Sequence, residues 1–182
     1  MGVNWNQGLM RWKPHVDRQG KNFPLNHLHP FRFTLTLDCG EIIVSVGFAM
    51  HCFTKKSDAN DDPSDCYRDE REQPIFCHER YALSRLLPNI LRTLPERQCE
   101  FARNDNFVTF DTVSLEGRIT KYGIFFNIKR WTDGRRVAGI QLTVQSAYSI
   151  NPGKSSPGKG KIKFVRAVEL ILDGIKPKPP HH

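Results

Sequence analysis

The sequence lacks any apolar run approaching the roughly 20 residues that cross a bilayer as a helix. Its N-terminal segment, MGVNWNQGLMRWKPH, also lacks the apolar stretch of a signal peptide. We therefore expect a cytoplasmic protein without a membrane segment. The cysteines are odd in number and irregularly spaced, in a chain with no secretion signal, which favours free thiols over a disulfide framework. The five residues are Cys39, Cys52, Cys66, Cys77 and Cys99.

Complete metal and cofactor motifs are missing as well. The richest thiol and imidazole cluster comprises His51, Cys52, Cys66, Cys77 and His78. Zinc sites usually take closely spaced ligand pairs, whereas adjacent residues on a strand point in opposite directions. A calcium-loop spacing over 58–69 has Pro63 where the turn requires glycine. A P-loop ending at 153–155 has Tyr148 where its first glycine belongs. We predict neither a metal nor a cofactor.

The composition is that of a globular protein with a strongly basic C-terminal portion. Hydrophobic residues make up 38% and charged residues 25% of the 182 residues, and the net charge is +8. Residues 1–77 hold 9 lysines and arginines against 10 acidic residues, whereas residues 78–182 hold 18 against 9. A positive field of this kind favours RNA, another polyanion or an acidic protein as the partner.

An antiparallel hairpin is predicted over residues 31–50, because apolar and polar residues alternate along both halves of this segment. One apolar face carries Phe31, Phe33, Leu35 and Leu37, and the other carries Ile42, Val44, Val46, Phe48 and Met50. A four-residue loop at 38–41 would place Leu35 opposite Val44 and bring the two apolar faces together.

Two helices are predicted. Residues 78–94 show apolar side chains at helical spacing, at Leu83, Leu86, Leu87, Ile90, Leu91 and Leu94. Pro88 lies inside this pattern and should kink or split the helix. A second helix is expected at about 164–172, ending near Gly174.

Between the helices the alternation returns to a period of two. Short strands are predicted at 98–103 and 106–114, followed by a long hairpin whose turn contains Asp-Gly. A three-residue loop at 133–135 matches the apolar faces of its strands, and this register places Tyr122 opposite Ser146.

These elements predict one α+β domain over residues 31–175, built from an antiparallel meander and one main amphipathic helix. Residues 1–30 show little period and should form an irregular arm. Segments 55–76 and 149–161 are polar or rich in glycine and serine, which is typical of exposed, flexible loops. Residues 176–182 form a basic, proline-rich tail, whose final histidines resemble the remnant of a purification tag.

One group of polar residues fits metal-independent RNA cleavage. This reaction needs a base for the 2′-hydroxyl, an acid for the leaving oxygen, and a cation for the phosphate. Histidine, tyrosine, arginine and lysine supply these groups. The candidate catalytic residues are His51, His78, Arg85, Tyr122, Arg130, Ser146 and Tyr148. The alternative for each is an ordinary packing or surface role.

Residues 78–148 resemble the barnase–EndoU–colicin–RelE group of ribonuclease toxins, with a helix followed by an antiparallel meander. The string YGIFFNIKR…GIQLTVQSAY is similar to the ends of RelE-type toxins. The resemblance implies that Tyr122, Arg130 and Tyr148 lie near the scissile phosphate, with His78 or Arg85 from the helix. It covers roughly 70 of 182 residues. The chain departs from these toxins in its greater length and in the hairpin that precedes the helix.

Two functions follow from the sequence. The first is a metal-independent endoribonuclease of toxin type. The second is a non-enzymatic basic module that binds nucleic acid or an acidic protein, including a mobile-element protein that inhibits a host enzyme. Catalysis requires ionisable groups at one phosphate, whereas binding requires cations and aromatic platforms. Candidate platforms are Phe107, Phe110, Phe125 and Trp131.

Overall fold

The computed structural model describes residues 11–67, 73–104, 106–115, 117–133, 136–151 and 158–179. Its strands are β1 His15–Val16, β2 Asn22–Phe23, β3 Phe31–Leu37, β4 Gly40–Phe48, β5 Thr54–Lys55, β6 Ile75–Phe76, β7 Gln98–Phe101, β8 Phe107–Leu115, β9 Arg118–Asp133, β10 Arg136–Ile150 and β11 Lys159–Lys163. Its α-helices are α1 His78–Ser84, α2 Leu87–Arg92 and α3 Phe164–Leu172. The predicted α+β class is confirmed. Within these residues, none of the helices has the length and apolarity to span a bilayer.

Seven strands form one sheet in the order β11-β7-β8-β9-β10-β4-β3. Each neighbouring pair is antiparallel except β10 with β4, which are parallel. One face of this sheet is buried under α1 and α3, and we call it the core face. It carries Val44, Ile124, Phe126, Leu142 and Val144. Burying a side chain of this size stabilises a fold by about 1.5–3 kcal/mol.

The N-terminal hairpin forms, but its predicted register is wrong by two residues. Leu37 pairs with Gly40, so the turn has two residues instead of four, and Leu35 faces Ile42 instead of Val44. Gly40 has a φ of 124°, a conformation that favours glycine and accommodates the tighter turn. A shift of two residues leaves each side chain on its own face, which explains why alternation alone did not reveal it.

The predicted register of the long hairpin is also wrong. Strands β9 and β10 pair as far as Asp133 and Arg136, without a three-residue loop. Two β-bulges interrupt β10, the first between Val137 and Gly139 and the second between Val144 and Ser146. Each adds one unpaired residue, and each shifts the register of β10 by one position. Tyr122 therefore faces Ser149 rather than Ser146.

The break that Pro88 predicts is confirmed. Helix α1 ends at Ser84, and Pro88 lies in the first turn of α2. Backbone N–H groups in a first turn have no partner within the helix, so proline, which lacks this group, is tolerated there. Leu86 lies in the break and is exposed, so its predicted core position is wrong. The predicted C-terminal helix is confirmed as α3, and Gly174 follows it with a φ of 80°.

Residues 11–30 of the predicted arm belong to the core despite their irregular sequence. Trp12 is buried, and its indole nitrogen donates a hydrogen bond to the backbone oxygen of Phe48. Leu25 and Leu28 are fully buried, and β1 pairs with β2. Because aperiodic segments bury single side chains at irregular positions, hydrophobic periodicity does not detect them.

The two predicted loops are shorter than expected. In segment 55–76, β5 pairs with β6, and Tyr67 is buried with its hydroxyl donating to the backbone oxygen of Lys13. In segment 149–161, β10 continues to Ile150, and β11 begins at Lys159 and pairs with β7. Residues 68–72 and 152–157 lie outside the described residues.

The parallel pairing of β10 with β4 depends on close backbone approach at Gly139. A Cβ added there would lie 2.6 Å from the backbone oxygen of Ile43. We expect Gly139→Ala to lower the free energy of unfolding by about 1–3 kcal/mol in urea titrations. Gly123→Ala is the control, because its Cβ would meet the flexible Ile150 side chain at 2.9 Å. It should change stability by less than about 1 kcal/mol; equal effects would contradict this role.

His27 makes the docking of residues 11–30 sensitive to acid. Its Nε2 lies 2.7 Å from Ser84 Oγ, and burial, with Arg85 and His29 nearby, lowers its pKa to about 4. An unfolded histidine binds its proton near pH 6.5, so stability should fall as pH drops from about 6.5 to about 4. His27→Gln, which retains a hydrogen-bonding side chain, should lose less stability between pH 7 and about pH 4.5 in urea titrations. An identical pH dependence in both proteins would refute this role.

Candidate nucleic-acid interface

The predicted catalytic residues do not all meet. His78 begins α1, where its Nε2 lies 3.9 Å from Asp65 Oδ2 and its ring contacts Phe76. Arg85 follows α1 at its exposed end, near His27. Both lie beside the N-terminal segment, because the His78 ring also contacts Phe23 and Arg85 lies near His27. Neither lines the open groove that holds Arg130, Ser146 and Tyr148.

The structure places Tyr122 in the core, so it does not belong to the predicted site. Its side chain is fully buried on the core face, and its hydroxyl makes no hydrogen bond within the described part of the chain. Burial raises the pKa of this hydroxyl well above its ordinary value. The regular alternation of β9 places Tyr122 on the same face as Ile124 and Phe126, so it does not reach a bound phosphate.

The bulge before Ser146 reverses which side chains at the end of β10 face the core. From Ile140 to Val144 the even-numbered residues of β10 lie on the core face, whereas beyond the bulge Ala147 lies there. Ser146 and Tyr148 consequently lie on the opposite face, which we call the outer face. The predicted register, which placed Ser146 opposite Tyr122 and so on the same face, is wrong for this reason.

On the outer face, Tyr148 is part of an aromatic stack. Its ring lies parallel to that of Phe125, with centroids 5.1 Å apart and 14° between the planes. The Arg80 guanidinium lies 5.0 Å from the centre of the Tyr148 ring. Arg80 is itself held by hydrogen bonds that it donates to the backbone oxygens of His51, at 3.0 Å, and Thr54, at 2.7 Å. This arrangement fixes the position of the Tyr148 ring.

An open groove of about 1390 Å³ begins at this stack. Strand β9 continues beyond Phe126, the last residue that pairs with β8, and the groove passes round this part of β9. Its remaining walls are the turn between β7 and β8, the start of β11, and the segment that follows α3. Of the predicted site residues, it brings together Arg130, Ser146 and Tyr148.

The groove is positively charged along its length. Five cationic side chains line it, namely Arg103, Lys129, Arg130, Lys159 and Lys176. Among its described lining residues there is no aspartate, glutamate or histidine. The other polar side chains include the amides Asn104, Asn106, Asn127 and Gln145. Several cations gathered in a concave surface concentrate the positive potential there.

Sequence reasoning missed most of these residues. Of the suggested aromatic platforms, Phe107 and Phe125 line the groove, whereas Phe110 and Trp131 do not. The available signal was the polar side of β9, where Asn127 and Lys129 alternate with the apolar core residues. Lys159 and Lys176 reach the groove through tertiary folding, which a local pattern does not reveal.

The thiols are not part of a metal centre in the described part of the chain. Among these residues, no three histidine, cysteine, aspartate or glutamate side chains lie close enough together to hold a metal ion. All five cysteines are free thiols, as predicted. Burial raises the pKa of Cys52, and it raises the pKa of Cys99 to about 12. These two buried thiols therefore stay protonated and unreactive near neutral pH.

The buried hydroxyl of Tyr122 gives a direct test of its assignment to the core. Removing an unpaired buried polar group relieves its desolvation penalty, so Tyr122→Phe should raise the free energy of unfolding by about 1–3 kcal/mol. Tyr148→Phe is the control and should change it by less than about 0.5 kcal/mol, because Tyr148 is partly exposed. Urea titrations measure both. A destabilised Tyr122→Phe variant would show that this hydroxyl has a partner.

The comparison with known proteins gives one match. No curated protein and no solved structure matches the chain. The sequence profile of the YjaZ family matches residues 14–172, a range that runs from the N-terminal segment before β1 to the end of α3. This range is far more than half of the 182 residues, so the chain belongs to the YjaZ family.

Proposed function

We propose that the protein is a non-enzymatic module that binds nucleic acid in the groove between β9, β10 and the segment after α3. The observation that carries the proposal is the set of five cations with no acidic residue among the described lining residues. A nucleic-acid backbone presents regularly spaced negative charges, and lysine and arginine neutralise them as bound counterions are released. The groove supplies lysine and arginine side chains for such contacts.

The size of the groove supports a polymeric ligand. Sites for small molecules usually occupy about 300–1,000 Å³ and enclose most of their ligand. This groove exceeds that range, at about 1390 Å³, and is open to solvent. An acidic protein segment would meet the same charges, but the parallel rings of Phe125 and Tyr148 favour a ligand with flat bases.

The ribonuclease hypothesis has less support. Metal-independent cleavage requires proton-transfer groups at the scissile phosphate. The groove contains Tyr148 and Ser146, but no histidine among its described lining residues. Tyr122 is buried, and His78 lies beside Asp65 at the start of α1. Binding without cleavage therefore fits the arrangement better than catalysis does.

The groove lysines should control the salt dependence of binding. Lys129 and Lys159 line the groove, and both are exposed. Replacing both by glutamine should weaken binding of a labelled RNA and reduce the slope of log affinity against log salt. For single strands each lost phosphate contact lowers this slope by about 0.7. Fluorescence anisotropy at several salt concentrations measures both quantities.

The matched control is the double variant Lys121→Gln, Lys163→Gln. It removes the same charge from the same strands, but at exposed positions outside the groove. Lys121 lies roughly 26 Å along β9 from Lys129, at about 3.3 Å per residue. Equal effects of the two double variants would indicate diffuse surface attraction and would reject the groove as the binding site. Cleavage of total RNA by the purified protein in EDTA would favour the ribonuclease instead.

A further inference from the structure

We infer that the groove takes single-stranded rather than duplex nucleic acid, with a base stacked on Phe125 and Tyr148. This inference rests on the proposed function and specifies its ligand. Backbone charges alone do not distinguish a single strand from a duplex, because both present phosphates. The distinction comes from the other side chains of the groove, which suit an exposed base.

The aromatic stack is placed to receive a base. Phe125 and Tyr148 are both only partly buried, and both line the groove beside its cations. Their rings already lie nearly parallel, so a further flat ring extends the stack without rearranging it. Arg80 holds the Tyr148 ring from the helix side, which reduces the entropy lost when a ligand binds.

The amide side chains fit the edge of an unpaired base. Asn127 and Gln145 line the groove close to the stack in sequence, and Asn104 and Asn106 line it from the turn between β7 and β8. An amide offers both a donor and an acceptor, and unpaired bases expose complementary groups along their edges. In a duplex these edges are paired, and the base faces are stacked on one another.

The concave shape also disfavours a duplex. Proteins that read duplex DNA usually insert a protruding helix or strand pair into the major groove. Here the cations and aromatic rings line a recess around the part of β9 that extends beyond β8. A flexible single strand enters such a recess, whereas a rigid duplex would contact only its rim.

Anisotropy titrations with a labelled oligouridylate, an oligodeoxythymidylate and an RNA duplex of equal length test the inference. We expect both single strands to bind more tightly than the duplex. Phe125→Leu should weaken single-strand binding by roughly 10- to 100-fold, which corresponds to the loss of one base stack. Its salt slope should stay unchanged, because no charge is lost. Phe125→Tyr, which retains a ring, should bind almost as tightly as the unaltered protein.

Phe110→Leu is the matched control, because Phe110 is a partly exposed phenylalanine on the neighbouring strand β8, outside the groove. It should leave affinity unchanged. Equal binding of duplex and single strands, or equal affinity of Phe125→Leu and Phe110→Leu, would overturn the stacking inference alone. A salt slope that the groove lysines do not affect would instead reject the proposed function. Equal loss of affinity in Phe125→Tyr and Phe125→Leu would also count against stacking.

Discussion

The structure depends on the pairing of β10 with both of its neighbours. β10 runs antiparallel to β9 along almost its whole length and parallel to β4 from Ile140 to Val144. It thereby joins the N-terminal hairpin to the other strands of the sheet. The bulge after Val144 then exchanges the faces of β10, so that apolar side chains lie on the core face before it and Ser146 and Tyr148 lie on the outer face after it.

This exchange separates the core from the proposed binding surface. Two tyrosines near the end of the long hairpin differ in environment, although the sequence makes them look equivalent. Tyr122 on β9 is fully buried in the core, whereas Tyr148 stacks on Phe125 at the groove. A single extra residue in β10 therefore places Tyr148 on the outer face, whereas the alternation of β9 keeps Tyr122 in the core. Substitutions on the core face should affect folding, and those on the outer face should affect the proposed binding.

The sequence predicts the elements of this fold better than their pairing. Periodicity located the hairpins and α3, because each buries a regular face, and Pro88 marked the break between α1 and α2. It did not detect the second bulge of β10, because Tyr148 and Ile150 continue in the sequence the even-numbered apolar pattern of Leu142 and Val144, although the bulge moves them to the outer face. It also missed the buried Trp12, which no pattern marks. For the site, Arg130, Ser146 and Tyr148 were anticipated from residue type, whereas Lys159 and Lys176 reach the groove through long-range contacts.

The parallel contact between β4 and β10 has a consequence for how the chain folds. Val44 pairs with Ile140, about a hundred residues later, so this contact closes one of the longest loops in the molecule. The hairpin of β3 and β4 can form early from local interactions, yet the side of β4 that receives β10 stays unpaired until β10 has been synthesised. During that interval β4 offers free backbone donors and acceptors to other chains. This strand order therefore favours slow folding and a risk of aggregation during synthesis.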